Sequence, residues 1–372
     1  MKKLLLVICV GCILGSCTEM NDKHESYFKD GEIIYIGRVD SLKLFPGNER
    51  LLLQYQVSDP RAKNLNISWL QGKESLELPV PVHQPDETFE RYIGKNDKTI
   101  AEGSYTFKFV VGDEKEHKSV VVESNVNVYG QKYQSRLTNR PLISAEEAIG
   151  NNVTLQWAGA TSNDEFGIKL RYTNTAGDVI TERYKSDEII SPMTIPDVKL
   201  TDSMTYQTLY LPEPTAIDTF FTVPQKVSIR SLPIIVSRGK TVTWSDANNA
   251  SSYGSNAVDG IPTNASRWVG DGLNNEHWIE IDLGGTHSIN AFQTWREVVG
   301  DKSFRLQVND GGTWVDVVVE DNSLAAGLPT IYYREFTSVS TDKVRYLIPQ
   351  YNPVADNRPR LWEIEIYSVT YY

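Results

Sequence analysis

The chain has 372 residues, carries 48 acidic against 37 basic side chains for a formal charge of −11, and contains three cysteines. Its length excludes one small core and calls for two to four domains of roughly 100–150 residues each. The acidic balance excludes nucleic acid and anionic headgroups as partners, and cysteines confined to Cys9, Cys12 and Cys17 exclude a disulfide framework or thiolate metal cluster in the body of the protein.

Residues 1–16, MKKLLLVICVGCILGS, run from two lysines through an apolar stretch to small residues. That is the pattern of a secretory signal peptide. It is too short for a spanning helix, and no later run of about 18 apolar residues follows. Leu14-Gly15-Ser16-Cys17 resembles the bacterial lipobox. The resemblance implies cleavage before Cys17 and acylation of its thiol. Loss of Lys2 and Lys3 then takes the formal charge from −11 to −13. Acyl chains contribute about 0.8 kcal/mol per buried methylene, so several make attachment effectively permanent. A polar tether, 17–27, carries Glu19 and Asp22. Acids placed there resemble a surface-export signal of glycan-foraging Gram-negative bacteria. The expectation is a lipid-anchored outer-membrane protein facing the cell exterior, among neighbouring surface glycan-uptake proteins.

The body reads as β structure. Alternating runs such as Glu32–Ile36, Leu51–Val57 and Tyr105–Val111 are separated by Gly, Pro, Asn and Asp turns, without sustained helical periodicity. Such spacing argues for antiparallel sandwiches rather than parallel α/β sheets. One segment, 28–130, ends at Gly130, and a polar connector, Gln131 to Arg140, opens the next, 131–232. Asn174 to Asp178 reads as a hairpin turn. Each segment has one tryptophan in an early strand, Trp69 and Trp157, and the pair fits two immunoglobulin- or fibronectin-like sandwiches. Their arrangement resembles an uncharacterised N-terminal region of lipoproteins from glycan-foraging bacteria, which implies no activity. A spacer role is expected.

The last segment, 233–372, differs: six of the eight tryptophans fall after residue 240. Ala257-Val-Asp-Gly260, Ser266-Arg-Trp268 and Trp278–Gly284 are followed in order by Asn309–Trp314, Val344-Arg-Tyr346 and Leu361–Tyr367. This ordered set resembles the coagulation factor 5/8 C-type (discoidin) domain. The resemblance implies an eight-stranded jelly roll, similar in bacteria to carbohydrate-binding modules of family 32. The fold class expected for the whole is therefore all-β: two immunoglobulin/fibronectin-like sandwiches followed by a discoidin-like jelly roll. Trp268 and Trp278 then belong to the frame. His277 and His287 read as surface histidines, and Glu363 and Glu365, one strand period apart, point to one face.

The same resemblance implies site residues. A structural calcium ion would be held by Asp259, Ser266 and Glu363, with Asn256 and Thr263 nearby; hard oxygen donors in a loop suit that cation. This chain departs by two extra residues between turn and tryptophan and by Ile261. A metal-free turn, with Asp259 capping its own backbone, is the alternative. The histidine and second tryptophan of galactose-binding members are replaced by Val269 and Gly272. Arg296 remains, its partner asparagine is replaced by Asp301, and Trp295 beside it is expected to supply a stacking face. The loop Gln350–Arg360 offers Tyr351, Asn357 and Arg358. An aromatic face with amide and guanidinium donors is what a pyranose requires. No Ser/His/Asp or Cys/His constellation suggests nucleophilic catalysis. The expected function is non-catalytic glycan binding by an anchored surface lipoprotein. The alternative is a protein-binding adhesin or scaffold subunit, whose interface would need a larger apolar patch.

Overall fold

The computed structural model describes residues 34–94, 100–272, 276–296, 303–320, 331–349 and 358–372. The chain forms two compact units, one of residues 1–139, 160–168 and 207–223, the other of 140–159, 169–206 and 224–372. The expected middle segment thus contributes to both.

The first unit is built on β1 (Val39–Pro46), β2 (Arg50–Val57), β3 (Asn64–Trp69), β4 (Glu74–Pro79), β5 (Thr88–Gly94), β6 (Gly103–Gly112) and β7 (Val122–Val128). They form two antiparallel sheets, β1-β2-β5 and β4-β3-β6-β7. Every second residue of β2, from Leu51 to Val57, is buried. That strict alternation lets one face meet Leu65 and Ile67 of β3 and Phe107 and Phe109 of β6 in a shared core. Trp69 closes β3 against Phe107, ring centroids 5.3 Å apart. Of the run Glu32–Ile36, only residues 34–36 are described, and they precede the first strand. The polar connector begins with a one-turn helix, α1 (Gln131–Gln134).

Next come β8 (Leu142–Ala148), β9 (Asn152–Trp157), β10 (Glu165–Thr173), β11 (Val179–Lys185), β12 (Met193–Ile195), β13 (Thr205–Tyr210), β14 (Phe220–Phe221) and β15 (Gln225–Lys226). They give a three-stranded sheet, β12-β9-β8, and a five-stranded one, β11-β10-β13-β14, with β15 beside β13. The β10–β11 hairpin turns where Asn174 accepts the Asp178 amide on its side chain at 2.7 Å and Gly177 takes φ +97°. Trp157 packs edge-on to Tyr206, 4.9 Å between centroids.

The rest of the second unit contains β16 (Ile234–Ile235), β17 (Thr241–Trp244), β18 (Trp268–Val269), β19 (His277–Arg296), β20 (Phe304–Asp310), β21 (Thr313–Glu320), β22 (Ile331–Ile348) and β23 (Arg360–Ser368). They form an eight-stranded antiparallel sheet, β16-β23-β19-β22-β20-β21, with β17 on β19 and β18 on β23. Gly284 and Gly285, at φ +75° and +154°, bend β19 where an L side chain would be strained. Register shifts mark the same bend. Residues before it (Ile279, Ile281, Leu283) and after it (Ile289, Phe292) join one core with Trp268, Phe304 and Tyr346.

Candidate functional site

The bend in β19 brings its two ends to the same end of the eight-stranded sheet. His277 pairs with Ile348, Trp295 with Ile331, and Arg296 with Leu361, which also pairs with Trp268. Phe304 opposite Glu320 lies at this end too. The strand ends that flank 297–302, 321–330 and 350–357 therefore gather here, and those connections, with Asp301, Tyr351 and Asn357, lie outside the described residues. Cys17 lies outside them as well.

Arg296 ends β19 pointing into the core. It is 1% exposed, and its guanidinium stacks 5.0 Å from the Phe304 ring and 5.6 Å from Tyr332. Its Nε and both terminal nitrogens have no hydrogen-bond partner among the described residues. Stacking on two rings recovers part of the cost of burying a charge, but not its hydrogen bonds. The Arg358 Nε is likewise buried and without such a partner. These are donors that would take sugar hydroxyls or a carboxylate.

Trp295 does not share this face. Successive strand side chains leave opposite faces, so Trp295 lies half-buried on the side of its cross-strand neighbour Glu363. The expected joint platform of Trp295 and Arg296 is thus split between two faces of one strand.

His277 is a second correction. Expected at the surface, it is fully buried as the first residue of the inward series His277, Ile279, Ile281, Leu283. Its Nδ1 meets the Asp246 carboxylate at 2.9 Å, and its ring stands edge-on to Trp268. Asp246 is closely held. It accepts from the Asp271 amide (2.7 Å) on one oxygen, and from Ser245 (2.6 Å) and His277 on the other. Burial would raise its pKa, but these donors outweigh that and hold the carboxyl below its usual range. Asp246, Asp271 and His277 bring candidate metal-ligand atoms within 4.8 Å of one another. Both Asp246 oxygens already accept hydrogen bonds, so in any such site it fits the place of the carboxylate that orients the histidine. Sequence reasoning missed this group. The inward alternation through Ile279 and Ile281 was the signal that could have found His277.

The residues expected to hold calcium do come together, on the face of Trp295. A short 3-10 turn, Gly254–Val258, leads into Asp259-Gly260, where Gly260 takes φ +82°. Both Glu363 oxygens lie 3.1 Å from the Gly260 amide, and Ser266 donates to Asp259 at 2.5 Å. Thr263 bridges Ser266, and the Asn256 side chain donates to the carbonyls of Ser251 and Arg267. Asp259 also accepts the Ile261 amide at 2.8 Å, the self-capped turn of the alternative. Glu363 is fully buried. That burial pushes its carboxyl up to about 7, repulsion from Asp259 and Glu365 adds, and the Gly260 amide and Arg238 oppose. Two carboxylates beside a hydroxyl and backbone oxygens are a hard-oxygen donor set that a divalent cation fits. Glu365, on the same face as expected, pairs with Arg238.

Residues 17–220 match DUF4998, a domain of unknown function. The match spans more than half of the chain, and the chain belongs to that family. Residues 256–346 match the NedA-like, galactose-binding domain of F5/8 type C. Among solved structures, the chain is similar to chitosan-binding module 1 of a chitosanase/glucanase from Paenibacillus sp. IK-5. Identity is 26%, over 37% of this chain and 100% of that one, with a TM-score of 0.33. Module 2 of that enzyme, in complex with chitotriose, matches at 26% over 36% and 99%, TM-score 0.30. CpGH89CBM32-4 of Clostridium perfringens, in complex with GlcNAc-α-1,4-galactose, matches at 21% over 37% and 95%, TM-score 0.32. No curated protein matches this chain.

Proposed function

We propose that this member of the DUF4998 family is a non-catalytic glycan-binding protein, held at the outer face of the outer membrane by acyl chains on Cys17. Its C-terminal F5/8 type C domain takes the sugar at the loop end of the jelly roll. The observation that carries this reading is Arg296, a buried guanidinium stacked on Phe304 and Tyr332 with no hydrogen-bond partner among the described residues. A donor group held in place by packing costs little entropy to use, and hydroxyls offer the acceptors it needs. The match of residues 256–346 to a galactose-binding domain supports the same ligand class. Val269 and Gly272 stand where galactose-binding members carry a histidine and a second tryptophan, which favours a sugar other than galactose. Calcium at Asp259, Ser266 and Glu363 is structural in this reading, pinning the 254–267 loop rather than touching the sugar.

The test is a glycan array probed with the full chain, followed by titration of each positive sugar into Arg296→Met. Binding by this domain should be weak, and the substitution should remove that component. Unchanged binding would move the site away from this end of the domain. Absence of any glycan ligand, together with capture of a surface protein through the same loops, would favour the adhesin.

A further inference from the structure

The first compact unit carries a pair of hollows that the C-terminal site does not use. On its outer β6–β7 ladder, Ser104 stands opposite Asn127 and Thr106 opposite Asn125. Ser104 donates to the Asn127 carboxamide oxygen at 2.6 Å, and Thr106 to that of Asn125 at 2.7 Å. Each bond fixes an amide in one orientation, leaving hydroxyl lone pairs as acceptors and the amide NH2 as donor. The Asn127 NH2 donates to Glu213 at 3.1 Å, and the Tyr129 hydroxyl donates to the same oxygen at 2.7 Å. Ser104, Thr106, Asn125, Asn127 and Glu213 rim a cavity of about 250 Å³ whose apolar wall includes Leu44, Pro46 and Tyr105. That volume sits just below the roughly 300–1,000 Å³ of small-molecule sites, the size of a single-ring subsite.

Glu213 also lines a second hollow, of about 430 Å³, with Phe166, Leu211, Pro212 and Pro214 as its apolar wall. Phe166 is 41% exposed there, a large aromatic face turned to solvent. Among the described residues lining the two hollows, the charged ones are Asp164, Glu165 and Glu213, and none is a lysine or arginine. An anionic ligand would therefore be repelled. Oriented neutral amides and hydroxyls next to an exposed ring match a molecule with many hydroxyls and a flat apolar face.

We propose that this pair of hollows binds a neutral oligosaccharide. One ring sits against the Ser104–Asn127 and Thr106–Asn125 pairs, the next lies on Phe166, and Glu213 accepts hydroxyls between them. The site is separate from the C-terminal one and stands whether or not that one binds sugar.

The experiment uses the full chain carrying Arg296→Met, which disables the C-terminal site. It is titrated with neutral gluco-, manno-, galacto- and N-acetylglucosamine oligosaccharides, with oligogalacturonate, and with a proline-rich peptide. At least one neutral oligosaccharide should bind. Phe166→Ala and Asn125→Ala should each weaken it about tenfold or more, some 1.4 kcal/mol. Both side chains are exposed, so the unfolding midpoint should hold. No binding of any neutral oligosaccharide, binding that both substitutions leave unchanged, or preference for the oligogalacturonate or the peptide overturns the proposal. Sugar binding present in the native chain and absent here leaves the C-terminal reading standing alone. Where Arg296→Met does not fold, the two substitutions are read in the native chain against its own sugar titration, with the same outcomes deciding.

Discussion

Glu363 gives the C-terminal domain a pH response whose sign is fixed by burial. Its carboxyl titrates near 7 in the folded protein against 4.5 in the free side chain. Between those values the native state holds the proton and the unfolded state does not, so stability falls as pH rises from about 4.5 to about 7. At 1.36 kcal/mol per unit the loss is on the order of 3 kcal/mol. Thermal unfolding in chelator should show that slope, and Glu363→Gln should flatten it. Calcium requires the ionised form, so calcium at about 100 times its dissociation constant should restore roughly 2.7 kcal/mol above pH 7. Identical midpoints with calcium and with chelator would leave the self-capped turn alone. Arg296 makes the opposite kind of prediction. A buried charge without hydrogen-bond partners among the described residues is poor support for a fold, and methionine keeps the apolar contact with Phe304 and Tyr332. Arg296→Met should leave the unfolding midpoint level or raise it while the C-terminal domain's share of sugar binding disappears. A fall of several kcal/mol would show that the guanidinium is paired in the native domain.

At the scale of elements, the 254–267 loop is seated by contact with β17. Trp244 ends that strand, stacks on Tyr253 at 5.3 Å, and closes over Gly254. A Cβ on Gly254 would come within 2.8–2.9 Å of three Trp244 atoms. Gly254→Ala must therefore push the loop or the ring aside, at about 1–3 kcal/mol. The expected readout is a lower unfolding midpoint together with a weaker calcium response, because the turn it displaces carries Asp259. A lowered midpoint with an unchanged calcium response would separate the cation site from this loop. The bend of β19 is the other element that places candidate site residues, since it carries His277 and Arg296 to one end of the domain.

At the scale of the whole molecule, the two units differ in what they offer. The second has a guanidinium without a hydrogen-bond partner among the described residues, and the first has two hollows that share Glu213 and carry no lysine or arginine. Were both proposed sites to bind, a polymeric glycan would be held with an avidity that neither site has alone. The proposed membrane attachment rests on Cys17. Cys17→Ala should move the protein from the membrane fraction to the soluble or unprocessed one without changing the unfolding of either unit. Retention on membranes after a high-salt wash would show that something other than acyl chains holds it.

Alternation and turn chemistry made the β class legible in the sequence. Leu51–Val57 reads as a half-buried strand because each side chain's face follows from its place in the strand, and Asn174–Asp178 closes by local hydrogen bonds. The family resemblance implied that Asp259, Ser266 and Glu363 would meet, and the fold does bring them together. What the sequence could not supply was the facing of residues across a bent strand. Trp295 and Arg296 are adjacent in the chain and part to opposite faces, while Asp246 and His277 are 31 positions apart and hydrogen-bonded. The hollows around Glu213 were invisible for the same reason. Local rules fix periodicity and turns within a few residues, whereas a site is a meeting of distant side chains, and only the closed sheets decide which ones meet.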